Sequence, residues 1–214
     1  AKLGEMFFKQ TKPSLKLIEN TPANKTLEQL GSRLTQGSKY TYHWYITDDP
    51  TLNAFAIPGG YVVVHTGLIK AAKNAEELMG VLAHEVQHIE QRHSLRGIAQ
   101  QAGLSVALSA VFGDMGGLVG LAGNLSQLQF SRDHETEADI QGLATLRKTQ
   151  IDPQGMVRMF TTLQTQNEGA APPEWLSSHP ATQNRIATLQ AEIAKQPYVA
   201  QPLKVDWRAV QKSL

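Results

Sequence analysis

The sequence predicts an α+β fold that is mainly helical, with one small antiparallel or mixed sheet. Two observations carry this. Residues 4–38, and most of the chain after residue 74, place apolar residues at helical spacing. Between them, residues 40–65 are rich in β-branched and aromatic residues in short runs bounded by turn residues. At 214 residues, a single domain with an ample core is expected.

The elements follow in order. From Gly4 to Ser38 the pattern is amphipathic and helical, with breaks at Pro13 and Pro22. Leu27, Leu30 and Leu34 share a face, while Gly31 and Gly37 weaken or end the run. Tyr40 to Ile46 reads as a strand closed by Asp48-Asp49-Pro50, with His43 structural. Leu52 to Ile57 and Tyr61 to His65 read as two further strands about a Pro58-Gly59-Gly60 turn, with His65 packed in its strand. A helix begins near Asn74, with Glu76 and Glu77 in its first turn where the macrodipole favours acid, and runs to about Gln101.

Gly103 to Gly123 is apolar and long enough to suggest a membrane span. Its six glycines, two serines and Asp114 oppose that, so no transmembrane helix is expected. The expectation is a flexible connection in which Phe112 to Asn124 acts as a lid or plug. A helix covers Gln127 to about Gln150. Pro153 opens another, whose Met156, Val157, Met159, Phe160 and Leu163 belong to the core. Gly169 to Pro173 is a loop, Pro180 to Lys195 a helix, and Tyr198 to Leu214 a tail with a strand and a short helix. The regions are thus 1–38 helical, 39–70 strands, 71–101 a helix bearing the first motif, 102–126 a Gly-rich lid or linker, 127–195 helices, and 196–214 a tail.

The motif is His84-Glu85-Val86-Gln87-His88. Residues four apart lie on one helical face, about 6 Å along the axis. Two imidazoles can therefore address one metal ion, leaving Glu85 to move the proton of an attacking water. Three fixed letters are weak evidence alone, because a solvated helix can carry two unrelated histidines. A catalytic zinc takes three protein ligands and keeps one position open, so a third ligand is required.

Ser131 to Asp139 offers it. Glu135 and Asp139 share a face, with small Ala138 and Gly142 on nearly the same stripe and Gly80 one turn before His84. Small residues facing each other would let the two helices approach closely. Glu135 is then the third ligand, and Asp139 accepts the free N–H of a ligand histidine, fixing its tautomer. Glu137 points elsewhere. His93 falls halfway round a straight helix from His84 and is rejected as a ligand. In His179-Pro180 to Arg185, His179 and Arg185 either donate to a developing oxyanion or merely cap and pair a loop, and spacing alone leaves both open.

These residues together resemble the HExxH metallopeptidase family of the CAAX prenyl proteases, the HtpX heat-shock proteases and the BepA-type periplasmic proteases. The likeness runs through Asn53 to Gly60, Thr66-Gly67-Leu68, Glu77-Leu78 and His84 to His88. It continues through Ser131-Arg132 with Glu135 to Asp139, and ends in the His179 to Arg185 block. The resemblance implies a zincin-like fold with a sheet edging the active-site cleft, and one Zn2+ per chain on His84, His88 and Glu135. It also implies Glu85 as general base, Asp139 beside a ligand, and His179 and Arg185 on the oxyanion or substrate side. Asn53, Ala54 and Phe55 would bind substrate on a strand spanning Asn53 to Val64, which an extended polypeptide can join as a further strand. Further implications are polypeptide substrates, peripheral association with a membrane or outer-membrane proteins, and a periplasmic or otherwise extracytoplasmic location in a bacterium. The alternative is a chaperone-like polypeptide binder with latent, lid-gated protease activity.

Composition is compatible with this. Lys and Arg number 20 against 19 acidic residues, so there is no basic field and nucleic acid is not an expected partner. Cysteine is absent, which removes thiolate chemistry and suits an oxidising compartment. The chain starts at Ala1 without an apolar signal core, which reads as a mature or trimmed product.

Overall fold

The computed structural model describes residues 2–97, 130–166, 174–179 and 183–214. The proposed lid, Phe112 to Asn124, and the loop Gly169 to Pro173 lie outside these residues. The fold is α+β and mainly helical, with a mixed sheet.

Helix α1 (Lys2–Thr11) leads through a 3-10 turn to a two-residue strand, β1 (Leu17–Ile18). That strand falls between the breaks expected at Pro13 and Pro22, in a region otherwise read as helical. Helix α2 (Pro22–Leu34) starts with Pro22 in its first turn and a reciprocal cap between Thr21 and Asn24. It buries Leu27, Leu30 and Leu34, as the periodicity predicts. Gly31 does not end it. A Cβ there would lie 2.1 Å from the Trp44 indole, so Gly31 is where α2 seats on the sheet.

Strands β2 (His43–Thr47), β3 (Ala54–Ile57) and β4 (Tyr61–His65) complete the sheet. Its order is β1-β2-β4-β3, with β2 parallel to β4 and the other pairs antiparallel. The expected edge strand from Asn53 to Val64 is thus a hairpin, and of its two strands β3 lies at an edge of the sheet while β4 lies inside it. The hairpin turns on Gly59 and Gly60 at φ 96° and 105°, a region that favours glycine. Both faces are covered. Ala54, Ala56, Val62 and Val64 join the main core, while Phe55, Ile57 and Val63 pack with Phe7 and Phe8 of α1.

Helix α3 (Thr66–Ala71) precedes the central helix α4 (Ala75–Glu90). The Asn74 side chain caps α4 by accepting from Glu77 N, and Glu77 in turn accepts from Lys73 N. Every residue from Glu77 to Ile89 is buried, so α4 is the spine of the molecule. It stops well short of Gln101: Arg92 takes a left-handed φ of 56°, and residues 93–97 begin a new helical turn in another direction.

Helices α5 (Arg132–Lys148) and α6 (Gln154–Thr165) pack on α4, followed by α7 (Glu174–Ser178), α8 (Gln183–Lys195) and α9 (Trp207–Lys212). Ser177 and Ser178 lie within α7 itself. The tail forms α9 without a strand, and its Trp207 and Gln211 side chains donate to carbonyls at the end of α3. The small residues also work differently from expectation. A Cβ on Gly80 would meet Met156 Cα at 2.4 Å, so Gly80 admits α6, not α5. Gly142 is the residue of α5 that faces α4, opposite the Ala83 backbone. No helix among the described residues is long and apolar enough to cross a membrane.

Candidate metal centre

His84 and His88 project from the C-terminal half of α4 and are both buried, their Nε2 atoms 2.9 Å apart. Glu135 enters from the first turn of α5, whose start is fixed by Ser131 accepting from His134 N. Its Oε2 lies 3.5 Å from His84 Nε2 and its Oε1 3.5 Å from His88 Nε2. His179, just after α7, brings Nδ1 to 2.9 Å from Glu135 Oε1 and 3.2 Å from His84 Nε2. One donor atom from each of the four falls within 4.8 Å of the others, and all four residues are buried.

The histidine backs are also held. His84 donates from Nδ1 to Asp139 Oδ1 at 2.9 Å, which leaves its Nε2 with a lone pair facing the cluster. Arg185 grips Asp139 through two hydrogen bonds of 2.8 Å. Its Nη1 lies 2.7 Å from Glu135 Oε2, an ionic approach, since that oxygen accepts no hydrogen bond. His88 Nδ1 lies 3.0 Å from His93 Nδ1, and His93 Nε2 lies 3.1 Å from Glu137 Oε2. Glu85 lies beside the cluster, and the Trp175 indole donates to its Oε1 at 2.8 Å. Trp175 stacks on His179, and Phe130 covers His88.

Electrostatics match this geometry. Burial would raise the Glu135 carboxyl, but His179, His84 and Arg185 hold it below the usual range. Asp139 behaves likewise, with Arg185 and His84 prevailing over burial. Burial pushes the His88 imidazole far down, and the neighbouring His84, His179 and His93 add to this. Burial also holds His93 down, to about 4. Burial would lower His179, yet Glu85 and Glu135 raise it. Three carboxyl groups, Glu85, Glu135 and Asp139, face one guanidinium, Arg185, in this buried cluster. Imidazole and carboxylate donors converge where acidic groups outnumber the guanidinium, so the residues fit a divalent metal.

Of the substrate-side expectations, Ala54 and Phe55 lie in β3, which packs on α4. Asn53 is buried just before it, and neither amide atom has a partner among the described residues. Arg185 is engaged by Asp139, Glu135 and the His179 carbonyl. His65 is packed, with Nδ1 against Thr51 Oγ1 at 2.7 Å. Trp175 and the His93–Glu137 contact were missed. Trp175 stands four residues before His179, a spacing that places both on one helical face. No sequence signal announces the left-handed Arg92 that redirects His93.

Two helices offering His, His and Glu, with an acid at the second position of the motif, define an HExxH metallopeptidase of zincin-like fold. The sequence profile of Peptidase family M48 matches residues 21–193, and the chain belongs to that family. It is 32% identical over 203 residues to the beta-barrel assembly-enhancing protease of Yersinia pestis, covering 86% of this chain and 42% of that protein. It is 31% identical over 220 aligned positions to a putative beta-barrel assembly-enhancing protease of Vibrio cholerae, covering 94% and 45%. Metalloprotease YcaL of Escherichia coli is 31% identical over 182 residues, covering 79% and 68%. The chain thus spans less than half the length of the assembly-enhancing proteases that it matches.

Proposed function

We propose that the chain is a zinc endopeptidase that cleaves extended or misfolded polypeptides in the bacterial envelope, in protein quality control. The observation that carries the reading is the convergence of four buried donor atoms beside the buried Glu85. Imidazole and carboxylate donors suit zinc, and a catalytic site needs three protein ligands with one place open. His84, His88 and Glu135, set on the long helices α4 and α5, are assigned as ligands, and His179 is assigned to the substrate side. When bound, zinc supplies Lewis acidity toward the scissile carbonyl and toward water. Glu85 takes the proton of the attacking water and passes it to the leaving amine, with one oxygen held by Trp175. Asp139 keeps the tautomer of His84. Arg185 holds Asp139 and Glu135 in place, which its geometry supports better than a role at the oxyanion. His179 donates to the carbonyl oxygen as charge develops there.

Substrate is read along β3. His65 N donates to Asn53 O, so by antiparallel alternation the backbones of Phe55 and Ile57 also pair with β4. The backbone groups of Ala54 and Ala56 then point away from β4, to the side on which an extended peptide would pair. A periplasmic location, with peripheral association with outer-membrane proteins, is supported by the names of the bacterial relatives and by the lack of cysteine.

The second reading, a polypeptide binder with latent activity, draws on His179 lying inside the donor cluster, where it would fill the open place. One experiment separates the two: casein digestion by the purified chain, with zinc counted by elemental analysis. The expected result is one zinc per chain and cleavage that a chelator abolishes and zinc restores. Glu85→Gln should keep zinc and lose turnover. Casein cleavage by that variant at the parent rate removes Glu85 as the base, and binding of casein without cleavage supports the second reading.

A further inference from the structure

We propose that His93 and Glu137 form a positioning relay that fixes the tautomer of the metal ligand His88, the counterpart of Asp139 behind His84. The proposal rests on the metal reading above and concerns residues that reading leaves without a task.

The argument is a proton count. His88 Nε2 faces the donor cluster, 2.9 Å from His84 Nε2. To bind a cation this nitrogen must be unprotonated, so the proton of neutral His88 sits on Nδ1. That Nδ1 lies 3.0 Å from His93 Nδ1, and two ring nitrogens at this distance share one proton, so His93 Nδ1 accepts. A neutral histidine accepting at Nδ1 carries its own proton on Nε2, and His93 Nε2 lies 3.1 Å from Glu137 Oε2, an acceptor. Arg96 Nη1 donates to the same oxygen at 2.9 Å and keeps the carboxylate charged and oriented. Every proton has one place.

The reverse arrangement fails at both ends. If His93 donated from Nδ1, the proton of His88 would sit on Nε2 and point into the metal cluster. The His93 Nε2 lone pair would meanwhile face the Glu137 carboxylate. Glu137 therefore selects the tautomer of His93, and His93 that of His88. The fold invests in this contact: α4 ends, Arg92 turns left-handed, and His93 returns to the back of His88. His93 is fully buried and stacked on His134 at 4.5 Å between ring centres, which fixes its plane. Three of the four acids of α5 thus divide the work, with Glu135 facing the cation site, Asp139 behind His84 and Glu137 acting on His88 through His93.

The test is zinc affinity of the whole chain, measured by chelator competition, beside melting of the metal-free forms. His93→Phe and Glu137→Ala should each weaken zinc binding by about 10- to 100-fold, as loss of a partner behind a ligand does. Glu137→Gln, which retains a carbonyl acceptor for His93 Nε2–H, should recover most of that loss. Parent affinity in both of the first two variants, or a Glu137→Gln as weak as Glu137→Ala, overturns the relay. Should the variants not fold, the 15N spectrum of the zinc-loaded parent decides: it must show His88 protonated at Nδ1 and His93 at Nε2 only, and any other pattern refutes the proposal. A parent chain that binds no zinc refutes the metal reading instead.

Discussion

Gly80 sits one turn before His84, and Gly80→Ala probes how tightly the metal helix is clamped. An added Cβ would lie 2.4 Å from Met156 Cα, 2.5 Å from its N and 2.9 Å from its Cβ. Carbon atoms in good contact are about 3.5–4.0 Å apart, so α4 and α6 must separate by about 1 Å. The two nearest of these three atoms are helix backbone, which cannot swing aside. Overpacking of this kind costs about 1–3 kcal/mol, and more where backbone is forced to move. Against it stands the better helix propensity of alanine, about 1 kcal/mol. The clash should win by about 1–2 kcal/mol, which for a chain of this size lowers the melting temperature by about 2–8 °C. The matched control is Gly142→Ala, where the close atom is the mobile Met156 Cε at 2.9 Å and the Ala83 backbone stands at 3.4 Å. It should melt near the parent. Calorimetry of the metal-free forms measures both. A Gly80→Ala variant as stable as the parent, or a Gly142→Ala variant that loses more, would refute the assignment of Gly80 to the α4–α6 contact.

Two further predictions concern the base and acid stability. Trp175→Phe keeps the ring that stacks on His179 and removes only the donor to Glu85, so kcat for a casein-derived peptide should fall about tenfold, within the range for a lost hydrogen bond to a charged group, while KM changes by less than about twofold; an unchanged kcat sinks the positioning role. His65 is held below 6.5 by burial, against the pull of Asp49 and Glu174. Because its folded value lies below its unfolded one, the unfolded chain binds the extra proton, and stability falls as pH drops below about 6.5. Replacing it, as in His65→Gln, should flatten the decline of melting temperature below that pH, and an identical slope would show that His65 does not contribute.

The site was more legible than the fold around it. Local periodicity is enough to put His84 with His88 and Glu135 with Asp139 on common faces, because i,i+4 geometry is a property of any helix. The helices of α2, α5 and α6 follow from apolar stripes that tertiary contacts reinforce. What sequence reading missed depends on contacts between distant segments. Gly31 reads as a helix breaker until Trp44 is seen filling the space beside it. The β1 strand exists only because β2 offers Ile46 and Thr47 as partners. Arg92 is a non-glycine residue in a left-handed conformation, so the end of α4 and the return of His93 carry no local signature. His179 illustrates the same limit, since its place among the donors is set by α7 packing on Phe160 and on the loop before β3.

The three proposed ligands at positions 84, 88 and 135 come from two helices, with 47 residues between the last two (135 − 88). A cation gripping them is therefore a reversible cross-link that closes one long loop, in a chain with no cysteine to do so covalently. Each tenfold rise in free zinc above its dissociation constant adds about 1.4 kcal/mol to the folded state. A cation held at this site would then stabilise the fold as well as serve the chemistry, and its removal would loosen the contact between α4 and α5.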